Sequence, residues 1–233
     1  MKDNLAIAIE TSCGAGGVAL GAGGLMILDS AAFDASRGHA TQLVVHLDEM
    51  LTRHGLSPRD LRQLYVSAGP GSFTGLRVGI TVARTLAQAV AHLRCVAVPT
   101  ALAVAENARE LAWDNLGVVM DAREGIIYTQ LFIRRQGPIV AAGPARVLPV
   151  AEFLSSAPRP LLLTGEGLAY HHLTGPDIQI ADPSLHLPTA EGVWRVGCRL
   201  AQAGEFTEYH RLLPIYTRKP EAVRLWETRH GQN

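Results

Sequence analysis

The stretch that decides the fold is Leu5–Leu20, which reads LAIAIETSCGAGGVAL. Its first apolar run ends at Glu10, and a turn of small residues then leads into a second apolar segment, Val18–Leu20. A short apolar run bounded by turn residues is typical of a buried strand, so the stretch predicts a β-hairpin. After a second glycine-rich turn, Leu25–Phe33 is predicted as a third strand, which completes a three-stranded meander.

The same order of features recurs in the second half of the chain. Leu116–Met120 is apolar and ends at Asp121, a turn follows, and Ile126–Ile133 is predicted as the next strand. Glu10 and Asp121 are separated by nearly half of the 233-residue chain. The repetition favours an internal duplication, although two hairpins also occur in α/β proteins that have none.

Helices are predicted between the two meanders. Apolar residues recur at helical spacing over 39–54, and a glycine follows. A strand over Leu64–Ser67 then leads through a glycine-rich loop, Gly69–Gly75, into a helix from Leu76 to about His92. After one more strand, a helix is predicted from Thr100 to Ala112. This order indicates an α/β fold with two mixed sheets, each covered by helices.

The domain boundary is predicted near Ala101. Residues 1–101 would form an N-terminal lobe and residues 102–233 a C-terminal lobe, in which the pattern beyond Pro149 is weaker and suggests helix, strand and helix. The tail, 214–233, is locally basic between Arg218 and Arg229. The sequence leaves open whether this tail touches RNA or folds back on the first lobe.

Composition and charge exclude several classes of protein. The 21 Lys and Arg residues balance 21 Asp and Glu residues, whereas a free-standing nucleic-acid binder normally carries a basic surplus. Cys13, Cys95 and Cys198 are odd in number and far apart, which fits a reducing compartment without disulfides. No apolar run approaches the roughly 18 residues needed to span a bilayer. We therefore expect a cytoplasmic protein that does not contact a membrane.

Two glycine-rich turns are candidate anion sites. The loop Gly69–Gly75 lies between a strand and a helix, where backbone N–H groups can hold a phosphate. It is neither a P-loop nor a dinucleotide fingerprint, because Leu76 and Arg77 follow the last glycine and Thr74 stands where the fingerprint needs glycine. A tight turn that packs the helix on the sheet is an equal alternative. The candidate phosphate-loop residues are Glu10, Thr11, Ser12, Gly69, Gly71 and Ser72.

Metal-dependent and nucleophilic catalysis find little support in the residue pattern. None of the nine histidines has another histidine four residues later, the spacing that a helical metal pair needs. Cys13 lies in a glycine-rich turn, but no histidine or acid can be tied to it, so a small buried cysteine is expected. We predict no catalytic residue and no metal ligand.

The helix that follows the second glycine-rich loop has an unusually wide apolar face. At about 100° per residue its polar residues occupy an arc of roughly 100°, and the remainder is apolar or small. Such a helix is either sandwiched within the protein or buried against a second chain. On the preceding predicted helix, Val45 stands alone among polar residues. The candidate partner-interface residues are Gln42, Val45, His46, Glu49, Val78, Gly79, Val82, Ala83 and Leu86.

Four segments together resemble the TsaB family, also called YeaZ. They are LAIAIETSCGAGGVAL, SAGPGSFTGLRVGITVARTLA, VVMDAREGIIYTQLF and LPIYTRKPEA, and they extend from Leu5 to Ala222. The resemblance implies an actin-like (ASKHA) fold of two related lobes. It also implies the dimerisation subunit of the bacterial complex that forms N6-threonylcarbamoyladenosine beside the tRNA anticodon.

The resemblance also implies partners. TsaB-like chains pair with the catalytic subunit TsaD through helices of the first lobe, and often with themselves through the same surface. TsaE, an ATPase, joins the assembled complex, and tRNA would be contacted only through that complex. No cofactor is expected, although weak binding of ATP or ADP is compatible with the fold.

The chain departs from the family pattern at two places. Glu10-Thr11-Ser12-Cys13 reads more like the opening of the catalytic relative than the Asp-Thr start of TsaB. That relative, however, carries a metal-binding His-x-x-x-His where this chain has Thr100 and Val104, which implies an inactive paralogue. Two alternatives are a nucleotide-dependent transferase or ATPase that uses the glycine-rich loops and, with less support, a metallopeptidase of the glycoprotease type.

Overall fold

The first lobe is built on a five-stranded mixed sheet. The structure, a computed structural model, describes residues 4–22, 26–34, 39–134, 137–216 and 226. The strands stand in the order β3-β2-β1-β4-β5. Their bounds are β1 Ala6–Glu10, β2 Ala15–Ala22, β3 Met26–Asp34, β4 Gln63–Gly69 and β5 Arg94–Pro99.

The central strand β1 explains the continuous apolar run that opens the chain. Every residue of β1 is buried, because helices cover both faces of the sheet. Ala8 lies opposite Ala19 of the antiparallel strand β2 and opposite Tyr65 of the parallel strand β4. Glu10 is therefore delivered at the carboxyl end of β1, where the strand leaves the sheet.

The second lobe repeats this plan in a six-stranded sheet. Its central strand β6 is antiparallel to the next strand and parallel to a later one, as β1 is, and it ends in Asp121 as β1 ends in Glu10. The order is β11-β10-β6-β7-β8, with β9 also paired to β7. The strands are β6 Leu116–Asp121, β7 Ile126–Arg134, β8 Ile139–Ala141, β9 Arg146–Pro149, β10 Leu161–Thr164 and β11 Ile178–Ile180.

Within the described residues, five α-helices pack on these sheets. α1 and α2 cover one face of the first sheet and share a core with Ile7, Ile9 and Leu64, whereas α5 covers the other face through Trp194 and Val193. α3 lies between the lobes, since its alanines pack against β6. The helices are α1 His39–Arg53, α2 Phe73–Ala89, α3 Thr100–Ala105, α4 Val150–Ser156 and α5 Ala190–Gln202.

Two predicted helices have different bounds in the structure. α2 begins at Phe73 because Ser72 caps it, and it ends at Ala89 rather than near His92. The helix predicted to reach Ala112 ends at Ala105 and is followed by one 3₁₀ turn. Beyond that turn, the Trp113 indole donates to the Ala108 carbonyl, and the Arg134 guanidinium donates to the Arg109 and Leu111 carbonyls. These side chains satisfy carbonyl groups that the end of the helix leaves without a backbone partner in a helix.

The last part of the described chain returns to the first lobe. The division at residue 101 stays a prediction, but α5, which follows it in sequence, packs on the first sheet. The start of the tail does the same, since the Ile215 N–H donates to the Ala68 carbonyl at 2.6 Å. The basic residues of the tail, from Arg218 to Arg229, lie outside the described residues. Among the residues that the structure covers, no helix is long and apolar enough to cross a membrane.

Candidate functional site

A cleft of about 570 Å³ lies between the two lobes, where the strand ends of both sheets meet. The first lobe contributes the turn after β1 and the loop before α2. The second lobe contributes the end of β6 and the segment after β10. The polar and thiol side chains that line it are Ser12, Cys13, Ser72, Asp121, Glu166, Tyr170 and His186.

Glu10 does not line this cleft but is hydrogen-bonded to Ser12, which does, and it is almost completely buried. Its Oε1 atom accepts hydrogen bonds from the Ser12 backbone N–H and, at 2.6 Å, from the Ser12 hydroxyl. Burial raises the pKa of the Glu10 carboxyl to about 7, and the bonds from Ser12 offset only part of that rise. The Glu10 carboxyl therefore titrates near neutral pH and is only partly ionised there.

The glycine-rich loop before α2 packs directly against the turn that follows Glu10. The Ser72 N–H donates to the Ser12 carbonyl at 2.6 Å. A Cβ atom at Gly71 would lie 2.3 Å from that same oxygen, and one at Gly75 would lie 1.9 Å from the Thr11 carbonyl oxygen. These two glycines allow one backbone to approach the other, which favours the tight-turn interpretation of the loop.

The electrostatics of the cleft are unfavourable for a phosphate. The Ser72 N–H is already bonded to Ser12, and the Ser72 hydroxyl accepts from the Gly75 N–H at 3.3 Å. Asp121 and Glu166 line the opposite wall, and no Lys or Arg lines the cleft among the described residues. Burial raises the pKa of Glu166. The candidate phosphate-loop residues thus come together at one place, but beside carboxylates rather than cations.

Asp121 is the centre of a small polar cluster in the second lobe. Its backbone N–H donates to Glu166 Oε1 at 3.1 Å, and its Oδ1 atom lies 2.8 Å from His171 Nε2. Asp121 was visible in the sequence as an acid at a strand end, whereas Glu166 and His171 were not assigned to a site. The available signal for Glu166 was its position just beyond the apolar strand β10 and Gly165, since an acidic residue also ends the apolar strands β1 and β6.

Cys13 lies in the cleft wall and is buried, as expected. Its thiol donates to the Ala15 carbonyl at 2.9 Å. Burial, with a smaller contribution from Glu10, raises the pKa of the thiol to about 12. The sulfur is therefore protonated at neutral pH and is a poor nucleophile.

The two α3 positions that correspond to the expected metal ligands have structural roles. The Thr100 hydroxyl accepts a hydrogen bond from the Gly69 N–H at 3.1 Å, and Val104 packs in the core of the second lobe. Both side chains are fully buried. Throughout the described part of the chain, no group of three or more His, Cys, Asp or Glu side chains is arranged to hold a metal ion.

The predicted partner residues of α1 lie on its outer surface. Val45 and Glu49 are exposed, and Gln42 and His46 are half-buried. The His46 ring stacks on Phe33, with 5.5 Å between the ring centroids. Val44 is also exposed, at 54%, and was not among the predicted partner residues.

The predicted partner residues of α2 require a correction. Gly79 and Ala83 are buried within the chain and form no surface: a Cβ atom at Gly79 would lie 2.3 Å from Thr11 Oγ1, and Ala83 is fully buried in the first-lobe core. Val78, Val82 and Leu86 are half-buried against the same core. The wide apolar face of α2 is therefore mostly covered by its own sheet and by α1, which is the sandwiched alternative.

Comparison with known proteins bears on these features. A family model described as TsaD, tRNA N6-adenosine threonylcarbamoyltransferase, matches residues 33–201. A Bacillus subtilis protein named tRNA threonylcarbamoyladenosine biosynthesis protein TsaB is 28% identical over 229 residues, which cover 94% of this chain and 96% of that protein. The chain belongs to the family that this TsaD model describes, and within it to the TsaB branch.

Further relatives agree with the TsaB assignment. The Escherichia coli protein of the same name is 29% identical over 224 residues, covering 91% of this chain and 94% of that one. A crystal structure of a Pseudomonas aeruginosa protein described as similar to peptidase YeaZ superposes with a TM-score of 0.80. It is 27% identical and covers 92% of this chain and 100% of its own. The predicted TsaB resemblance and the predicted α/β fold with two mixed sheets are confirmed.

Proposed function

We propose that this chain is a non-catalytic partner subunit in the formation of N6-threonylcarbamoyladenosine in tRNA, and that it pairs with a TsaD-type transferase. The two bacterial relatives are named as biosynthesis proteins for this modified nucleoside. One observation supports the non-catalytic part: on α3, Thr100 accepts a backbone hydrogen bond and Val104 packs in the core. These stand where the transferase is expected to have its metal-binding histidines.

The contacts of these two residues support the proposal because they commit α3 to packing. The Thr100 hydroxyl is the acceptor for the Gly69 N–H, and that bond fixes the start of the glycine-rich loop. Val104 fills the core beneath β6. Both side chains are fully buried, and that of Val104 has no atom that could bind a metal.

The cleft supports the same proposal on electrostatic grounds. A nucleotide phosphate placed there would meet the carboxylates of Asp121 and Glu166 without a lining Lys or Arg in the described chain. We therefore expect ATP and ADP to bind weakly at most and no cofactor to be required. The Cys13 thiol in the same wall is held protonated, so it offers no alternative nucleophile.

The outer face of α1 is the surface that we propose for the partner. Residues three and four apart lie on one side of a helix, and the exposed side of α1 carries two valines in its middle with polar residues around them. Val44 and Val45 are 54% and 49% exposed. The members of this α1 face are Thr41, Val44, Val45, Asp48 and Glu49.

Further partners follow from the same assignment. A second copy of the chain would compete for the α1 face, so a homodimer would give way to the heterodimer. A TsaE-type ATPase would join the assembled complex, which we place in the cytoplasm.

The pairing is tested with Val45→Asp, which places a charge on the α1 face. Val147→Asp is a matched control, because Val147 of β9 is 51% exposed and lies in the second lobe. Both variants are expected to keep the circular dichroism spectrum of the native chain. Only Val45→Asp should fail to co-elute with the TsaD-type subunit, and equal co-elution of both would contradict the proposed surface.

The enzyme alternative is tested by calorimetry with magnesium ATP and magnesium ADP. We expect no binding at micromolar nucleotide. Micromolar affinity, together with ATP turnover that is lost in Glu10→Ala, would instead establish a nucleotide-dependent transferase or ATPase.

A further inference from the structure

A second concave surface, which we call the arginine groove, shares no lining residue with the cleft. It has a volume of about 450 Å³ and lies between the end of α3, the turn from β7 to β8 and the outer side of α5. Six charged side chains line it. They are Glu106, Arg109, Glu110, Arg134, Arg195 and Arg199.

The groove concentrates positive charge in a chain that is neutral overall. Four arginines face two glutamates there, whereas the whole chain has equal numbers of basic and acidic residues. Arg199 pairs with the buried carboxylate of Glu106 at 2.7 Å, and Arg109 pairs with the exposed Glu110 at 2.9 Å. The remaining charges, those of Arg134 and Arg195, have no carboxylate partner among the described residues.

Arg134 is held in place without being neutralised. One of its terminal nitrogens donates to the carbonyl oxygens of Arg109 at 2.6 Å and Leu111 at 2.8 Å, and its guanidinium lies 4.5 Å from the centre of the Trp113 ring. These contacts fix the orientation of the guanidinium but supply no negative charge. The groove therefore has a positioned cation at one wall before any ligand arrives.

Arg195 extends the positive charge along the opposite wall. It lies one helical turn before Arg199 on α5, so the two side chains project on the same side of that helix. The basic side chains thus come from three separate elements and are spread along the groove rather than converging on one point. Such a distribution suits a ligand that carries several negative charges at intervals.

We propose that the arginine groove contacts the phosphodiester backbone of tRNA. Guanidinium groups donate to phosphate oxygens in a paired geometry, and folded RNA is held largely through its backbone and shape. The identity of the RNA rests on the proposed function, whereas the phosphate chemistry rests on the groove itself. The arginine groove adds an RNA-binding surface to the complex. Because the chain is neutral overall, the groove contributes to RNA affinity but is not its sole determinant.

The test uses the double variant Arg109→Gln/Arg195→Gln. Replacing Arg109 deprives only the exposed Glu110 of its ion-pair partner, and Arg195 pairs with no carboxylate among the described residues. Arg199 is kept because its partner Glu106 is buried. The control is Arg59→Gln, an exposed arginine of the first lobe that does not line the groove. The native chain, the double variant and the control are each titrated with tRNA at salt concentrations from about 50 to about 200 mM. Each protein is measured both alone and in complex with the TsaD-type subunit.

Loss of two phosphate contacts should weaken tRNA binding about tenfold at 100 mM salt and reduce the slope of log Kd against log salt by about 1 to 2. The control should match the native chain. Unchanged affinity and slope in the double variant would overturn the proposal. Binding of millimolar free ADP or inorganic phosphate that the double variant abolishes, with tRNA affinity unchanged, would also overturn it in favour of a small phosphate ligand.

The two proposals fail separately in this experiment. If the native chain does not associate with the TsaD-type subunit in light scattering, the proposed pairing fails. The titration of the full chain alone still decides the groove, because the salt slope and the effect of the double variant are measured there without the partner. A native chain that shows no tRNA binding at about 50 mM salt overturns the groove proposal as well.

Discussion

Replacing Glu10 with glutamine tests the burial of the carboxyl that ends β1. The pKa of Glu10 is raised from 4.5 to about 7 because the group is buried. The folded chain therefore holds the proton more tightly than the unfolded chain does. The stability contributed by protonated Glu10 is complete below about pH 4.5 and is lost as the pH rises through about 7.

The expected size of this effect follows from the pKa change. One pKa unit corresponds to about 1.4 kcal/mol, so ionising Glu10 should lower the free energy of unfolding by about 3 kcal/mol between acidic and mildly alkaline pH. Glutamine keeps the oxygen that accepts from Ser12 and cannot ionise. Glu10→Gln should exceed the stability of the native chain by about 1 kcal/mol at pH 5 and by about 3 kcal/mol at pH 8.

The assay is urea unfolding at pH 5, 6, 7 and 8 for the native chain, Glu10→Gln and the control Glu205→Gln, whose side chain is exposed. The difference between the native chain and Glu10→Gln should grow with pH, and the control should run parallel to the native chain. Parallel curves for Glu10→Gln would refute the reasoning, since they would show that Glu10 ionises as easily in the folded chain as in the unfolded one.

Three further predictions concern two close contacts of the loop before α2 and the three buried cysteines. Gly75→Ala should destabilise the chain by more than about 3 kcal/mol in urea unfolding, because its Cβ would lie 1.9 Å from the Thr11 carbonyl oxygen. The control Gly143→Ala, which has open space around it, should change stability by less than about 1 kcal/mol. Similar losses for both variants would contradict the close approach. Thr100→Val should cost about 1–3 kcal/mol because the buried Gly69 N–H loses its acceptor, and an unchanged unfolding midpoint would show that the bond does not matter. All three cysteine thiols should react slowly with a disulfide reagent at pH 8 and rapidly in denaturant, since burial raises their pKa values; fast native modification of Cys13 would contradict its protonated state.

The strands could be predicted from the sequence where the local residue pattern agrees with the burial that the fold imposes. β1 and β6 are apolar throughout because both sheets are covered on both faces, so their runs and their terminal acids, Glu10 and Asp121, were visible without coordinates. The duplication was visible for the same reason. The strands β9 and β11 were missed because they are short and mostly exposed, whereas the equally short β10 is a continuous buried apolar run.

The site was less predictable because its geometry depends on contacts between distant segments. The wide apolar face of α2 does not reveal that α1 and the sheet both cover it, so Gly79 and Ala83 were assigned to a surface that they do not reach. Glycines at 71 and 75 signal either an anion loop or a close backbone approach, and only the position of the Thr11-Ser12 turn separates the two. The arginine groove joins residues from α3, β7 and α5, which no local pattern connects.

The central claim is that the chain acts through its surface and not through chemistry in its cleft. The most direct measurement compares threonylcarbamoyladenosine formation on tRNA in a reconstituted complex that contains Asp121→Asn, which alters the cleft, or Val45→Asp, which alters the α1 face. We predict that Asp121→Asn supports formation at the native rate and that Val45→Asp supports none. Loss of formation with Asp121→Asn in a complex that still assembles would contradict the claim.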